Sequence, residues 1–344
     1  MSKETKKYLV IILALALGLR LVGINHAFPF IFHPDEPTIV RSALGIRFNI
    51  NPGHFDWPHL YIYLNYFLYM VFAKVRDIIT ALGYKETIYF LAPIIWNDEL
   101  IFYLLTRVFT ALLGSLTIVP IYLTGKTLFG EKPGLWAAAA LAVTPFHVWH
   151  SHYSLADVPM LFFMSWALYF SVKILFRRTI GNYLLAGFFA GLAASTKYNG
   201  AIIISAILLA HVMRVWSEKS EKLISFESFE VVFYAAITSI LGFILGTPFA
   251  ALDYKNFLRT DGPKGALWQF TNVGSLPFSP HLKSFFTVFY NKLAENFGYT
   301  LLLMFVFAIF YILVKAIREK NLQQNRDLAF LVIAGLAYIF YISG

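Results

Sequence analysis

A chain of 344 residues that is 58% hydrophobic and only 14% charged, with a mean hydropathy of +0.65, is not a soluble domain, because those run at about 45–50% apolar and about 25% charged. The net charge of +9 belongs with loops beside anionic head groups, and no nucleic acid partner is inferred from it. There is no Cys, which excludes disulfides and thiolate metal sites.

In chain order, apolar runs of spanning length, roughly 17–25 residues, fall at 8–24, 100–125, 133–150, 158–176, 183–197, 199–216, 230–251, 285–314 and 328–344. They predict an all-α polytopic membrane protein, one domain over 1–344, with about nine transmembrane helices. The first run follows a basic start but has no small-residue cleavage site, so it reads as a retained span. The run 183–216 is broken at Lys197-Tyr198-Asn199-Gly200 into two spans. The last run stops at Gly344 without a basic or polar flank, as expected of a C-terminally truncated piece of a longer protein.

Basic clusters lie at Lys3/Lys6/Lys7, Lys126/Lys132, Lys173/Arg177/Arg178, Arg214/Lys219/Lys222 and Lys315/Arg318/Lys320/Arg326. The positive-inside rule places all five on one side, which needs an even number of spans between neighbours. That parity holds if the apolar stretch 58–73 does not cross. Trp57, Tyr61, Tyr63, Tyr66 and Tyr69 suit a membrane–water boundary, so 58–73 is expected as an interfacial helix. It would lie within a long first external loop, 25–98. The other external segments are then 150–157, 197–200 and 252–284.

The external segments hold the residues that spanning does not explain. Asp35 and Glu36 follow the first span and open an amphipathic stretch whose Ile39, Val40, Ala43 and Leu44 share one face. Helix capping accounts for one acidic residue there, but it does not require two beside a bilayer. Asp157 follows His150 and His152 and precedes Pro159. It is either an N-cap or part of a His/Asp cluster able to take a divalent cation or, through protonated imidazoles, a phosphate. Lys197 and Tyr198 sit at the break between two spans. Arg107 lies within the second span, where an arginine is expensive unless a carboxylate or phosphate pairs with it. Asp253 reads as a solvated loop entry, and His281 shares the external side. No P-loop, Gly-x-Gly-x-x-Gly or His-Glu-x-x-His pattern is present.

Taken together, Asp35-Glu36, Trp57-Pro58-His59-Leu60, Arg107 with Gly114, Asp157-Val158-Pro159, Gly191-Leu192-Ala193, Thr196-Lys197-Tyr198 and Thr247-Pro248-Phe249 with Asp253 resemble the GT-C membrane glycosyltransferases. The likeness is to the branch of protein O-mannosyltransferases and lipid A aminoarabinose transferases. It implies inverting transfer of a sugar from a polyprenyl-phosphate donor to a protein, lipid or glycan acceptor. By the same resemblance Asp35 is the general base and Glu36 orients acceptor or sugar. Arg107, Lys197, Tyr198 and His152 would hold the donor phosphate, and Asp157 with His150 would complete the cavity or ligate a divalent cation. The implied setting is a prokaryotic plasma (inner) membrane, with the N-terminus cytoplasmic, the site external and membrane lipids around it. Two features depart from the family: only Asp157 stands where oligosaccharyltransferases carry an acidic pair, and the family usually continues beyond this length. The competing readings are a transporter or flippase of lipid-linked sugars, which broken helices would suit, and a non-catalytic membrane scaffold.

Overall fold

The computed structural model describes residues 1–83, 98–218, 226–272, 277–287 and 322–342, with isolated positions between 291 and 318. Every regular element among the described residues is helical. Helix α1 (Lys3–Leu21) is capped by Ser2, whose hydroxyl accepts the Thr5 N–H. Helix α2 is Asp35–Gly45 and α3 is Leu60–Ala81. The second apolar run is a continuous stretch hinged at Thr117, α4 (Asp98–Leu116) and α5 (Ile118–Phe129). Then come α6 (Glu131–Val143), α7 (Pro145–His150), α8 (Asp157–Phe176) and α9 (Ile180–Thr196). A 3₁₀ turn, Tyr198–Ile203, leads into α10 (Ile204–Glu218), which is followed by α11 (Phe226–Gly246). The last two long elements are α12 (Phe278–Thr287) and α13 (Leu322–Ile342).

Among the described residues, three stretches are long and apolar enough to cross a membrane: Glu99–Phe129, Asp157–Phe176 and Tyr198–Ser217; Ile180–Thr196 and Glu230–Gly246 are apolar but shorter. The expected span 133–150 is not one helix. It breaks at Thr144, whose extended backbone lets Pro145 open α7 at a position where its missing N–H costs nothing. The expected span 230–251 likewise stops at Gly246, before Thr247-Pro248. Most of 285–314 lies outside the described residues. The stretch 58–73 belongs to a longer helix than its apolar length suggested, running on to Ala81 through Lys74, Arg76 and Asp77. Its tyrosine hydroxyls bond α4, Tyr61 to Thr110 Oγ1 at 2.6 Å and Tyr69 to Thr106.

The largest core cluster joins α8, α9, α10 and α11 with Phe330 of α13. Its tightest seam is α9 on α11. A Cβ on Gly187 or Gly191 would fall 2.1 Å from the Ala235 carbonyl oxygen and 2.0 Å from that of Ser239, so only glycine permits this backbone approach. A second cluster, formed by Ile39, Ala43, Ile46, Tyr61, Ile62, Tyr69 and Ala156, packs α2 onto α3. That cluster orients the helix that carries Asp35 and Glu36.

Candidate active site

The two adjacent carboxylates have opposite surroundings. Glu36 is fully buried. Its Oε1 accepts from Arg107 Nε at 2.8 Å and from the Ser154 backbone N–H at 2.8 Å, and its Oε2 accepts from Arg107 Nη2 at 2.8 Å. Arg107 Nη1 donates to the carbonyls of Ile24 (3.2 Å) and His26 (3.0 Å), and the guanidinium lies 4.7 Å from the Phe28 ring centroid. One buried arginine on α4 therefore ties together the chain after α1, the first turn of α2 and the loop before α8. The expectation that Arg107 meets either a carboxylate or a phosphate resolves to the carboxylate. Its side chain is 1% exposed, and four of its five N–H donors are taken by Glu36 and the carbonyls of Ile24 and His26. His26 lies against this knot, and burial first, then the Arg107 cation, push its imidazole below the usual range.

Asp35 starts the exposed side of the same turn. Its backbone N–H donates to His33 Nδ1 at 3.2 Å, while its half-buried carboxylate makes no hydrogen bond or ion pair among the described residues. The His33 ring stands 5.3 Å from that of Tyr153. The His150 imidazole lies in the electrostatic reach of His33, Asp157 and Lys197. Lys197 Nζ donates to Asp157 Oδ1 at 2.8 Å and lies 5.5 Å from the Trp57 ring centroid, with side-chain exposures of 26% for Lys197 and 39% for Asp157. This half-open pair is the reachable cation of the constellation. Sequence spacing of 40 residues between Asp157 and Lys197 gave no hint of their pairing, nor of Ser154 as a donor to Glu36.

His152 and Tyr198 hold backbone instead. The two ring nitrogens of His152 lie 2.8 and 2.9 Å from the carbonyl oxygens of Val148 and Val22. Tyr198 donates its hydroxyl to the Phe55 carbonyl at 2.8 Å. His150 Nδ1 lies 3.1 Å from the Phe146 carbonyl oxygen. Among the described residues, no group of three or more His, Asp or Glu side chains is placed to hold a metal ion. Asp157 is engaged by Lys197 and His150 by backbone, so these residues do not fit the divalent-cation site considered for them.

The segment 49–59 is a hub that sets Trp57 above Lys197. Phe55 N–H donates to the Lys264 carbonyl at 2.6 Å, His59 N–H to Thr247 Oγ1 at 3.0 Å and Asn51 Nδ2 to Asp253 Oδ2 at 2.9 Å. Asp253 is thus a fastening point: the Asn256 amide above all, with the Asn51 amide, holds its carboxyl below the usual range against the opposing effect of burial. His59, fully buried and stacked on Phe55, is pushed down to about 4 by desolvation. Ser42 Oγ, His54 Nε2 and Asp56 form a Ser–His–Asp relay, with 2.9 Å between Ser42 and His54. Ser42 stands within α2, where neighbouring N–H groups are spent on the helix, so the relay braces α2 against the hub. His281 joins none of this; its ring stacks on Phe340 and Nε2 lies 2.6 Å from the Phe340 carbonyl oxygen.

Residues 100–245 match the model of the family described as dolichyl-phosphate-mannose-protein mannosyltransferase. Over 206 residues the chain is 31% identical to dolichyl-phosphate-mannose–protein mannosyltransferase 1 of Saccharomyces cerevisiae, covering 56% of this chain and 23% of that relative. The structure of the S. cerevisiae protein O-mannosyltransferase Pmt1–Pmt2 complex bound to the sugar donor aligns at a TM-score of 0.50 and 22% identity, over 80% of this chain and 38% of that one. The Archaeoglobus fulgidus oligosaccharyltransferase, in complex with Zn and sulfate, aligns at a TM-score of 0.57 and 16% identity, over 98% of this chain and 47% of that one. The chain has a GT-C glycosyltransferase fold. In sequence and fold the chain is similar to membrane glycosyltransferases. The chain spans 23% of the curated relative's length and less than two thirds of each aligned structure.

Proposed function

We propose that this chain carries the catalytic membrane part of an enzyme that transfers a sugar, with inversion, from a polyprenyl-phosphate donor to a hydroxyl or amine acceptor on a protein, lipid or glycan. The division of labour between Asp35 and Glu36 is the observation that carries this reading. Glu36 is consumed by Arg107 and Ser154, whereas the neighbouring Asp35 carboxylate is free to take a proton. In the step itself, Asp35 accepts the proton of the acceptor O–H or N–H as that atom attacks the anomeric carbon. The carbon–oxygen bond to the lipid phosphate breaks, and the phosphate keeps its electron pair. Lys197, swinging between Asp157 and the leaving phosphate, stabilises the charge that grows there. Glu36 and Arg107 are positioning residues that hold the first turn of α2. Tyr198 and His152 support the site through the backbone they bind. On this reading the protein sits in a prokaryotic plasma membrane, and the five basic clusters favour a cytoplasmic N-terminus with Asp35 on the external side.

The test is sugar transfer by membranes containing the full-length protein, comparing wild type with Asp35→Asn at equal protein level. Transfer should collapse in the variant; retention of wild-type transfer would remove Asp35 as the base.

A further inference from the structure

Beyond the sugar-transfer site, the C-terminal end of α2 meets α3 and α4 around an open cavity of about 550 Å³. Leu44, Met70, Phe72 and Phe102 give it apolar walls, and Arg47 and Arg76 give it charge. Among the described residues its one carboxylate, Glu99, is already engaged, accepting from Arg41 Nε at 2.8 Å. Arg76 has only an exposed contact to Asp77 at 3.4 Å, a pairing of little worth in water. Arg47 lies over the Phe48 ring and meets no carboxylate among the described residues. The cavity therefore carries surplus positive charge.

Its position decides what would satisfy that charge. Glu99 begins the stretch Glu99–Phe129, long and apolar enough to cross a membrane, so the arginines stand beside the polar start of that stretch, with Phe102 one turn further along it. Along α3, Phe67, Met70, Val71, Val75 and Ile78 are exposed, an apolar face that opens sideways from the cavity. Cations at interface depth above a lateral apolar face match a molecule with an anionic head and hydrocarbon tails. A soluble anion would leave the apolar walls uncovered.

We propose that this cavity is a binding site for an anionic phospholipid, its phosphate between Arg47 and Arg76 and its acyl chains along α3 and α4. The site is separate from Asp35 and Lys197 and does not depend on the sugar-transfer reading. The test uses full-length protein, purified in detergent and stripped of lipid, with thermal unfolding followed during titration by phosphatidylglycerol, phosphatidylcholine or the soluble headgroup glycerol 3-phosphate. Phosphatidylglycerol should raise the unfolding temperature and the other two should not. Near an anionic head each arginine contributes roughly 1 kcal/mol, so Arg47→Gln and Arg76→Gln should each raise the half-saturating phosphatidylglycerol concentration about fivefold, and the double variant about twenty-five-fold. The Arg47→Lys/Arg76→Lys protein should keep the anionic preference. An equal response to phosphatidylcholine, an equal response to glycerol 3-phosphate, or unchanged titrations in the glutamine variants would each overturn the proposal. The single variants decide it if the double variant does not fold.

Discussion

Glu36 and Asp35 are neighbours in the chain, yet they belong to two different kinds of region. On the Glu36 side, Arg107, Ser154 and the carbonyls of Ile24 and His26 form a closed knot in which Nε and both terminal nitrogens of the guanidinium are spoken for. On the Asp35 side, a free carboxylate, two imidazoles and a half-exposed Lys197–Asp157 pair leave donors and acceptors that a ligand can claim. A buried ion pair of the first kind is retained at a desolvation cost and repays it by fixing geometry. The second kind is loose by construction, because charge must be exchanged there during a reaction.

Substitutions should separate the two regions. The largest effect is expected from Asp35→Asn, a loss of about 10²–10⁴-fold in transfer, the range of general-base catalysis, with the unfolding temperature unchanged. A parallel fall in unfolding temperature would erase the contrast with Glu36. Next, Arg107→Ala and Glu36→Gln should each destabilise the protein by about 3–5 kcal/mol, because the remaining partner is left uncompensated. Thermal unfolding in detergent measures this, and near-wild-type stability would show that the knot is not closed. Lys197→Ala should lower kcat/KM for the donor by tenfold or more, from a lost charged hydrogen bond of roughly 1.5–3 kcal/mol, while acceptor KM holds steady. A selective change in acceptor KM would move Lys197 out of the phosphate role. The smallest effect is a pH dependence from His59. Its folded value of about 4 lies below the unfolded 6.5, so the unfolded state binds more protons between these values and stability falls as pH falls from 6.5 toward 4. At pH 5.5 the loss is about 1 kcal/mol, and His59→Gln should flatten that part of the unfolding-temperature profile.

Much of this was legible from residues in isolation. The helix bearing Ile39, Val40 and Ala43 on one buried face follows from amphipathic spacing, as does the break at Lys197-Tyr198-Asn199-Gly200. Arg107 inside an apolar run demanded a partner, and cost alone narrowed that partner to a carboxylate or a phosphate. Spacing could not choose between them, since Glu36 and Arg107 are brought together by the fold across 71 positions. It was equally silent on His152 and Tyr198, whose polar groups look available in a sequence and turn out to bind carbonyls. The interruption at Thr144-Pro145 was hidden for another reason: hydropathy runs smoothly through it, and only the proline marks the change of direction.

The fastening of segment 49–59 bears on when the site can exist. Asn51 waits for Asp253, 202 positions later, and His59 for Thr247, 188 positions later, while Phe55 waits for Lys264. During synthesis the helix carrying Asp35 leaves the ribosome early, but the platform that places Trp57 over Lys197 closes only after the seventh long apolar run has been made. Contacts of such high order are slow to form and come last. Nascent chains stopped before residue 247 should therefore hold the first helices in the membrane with no assembled site, and protease protection of 49–59 should appear as a late, single step once residue 264 is available.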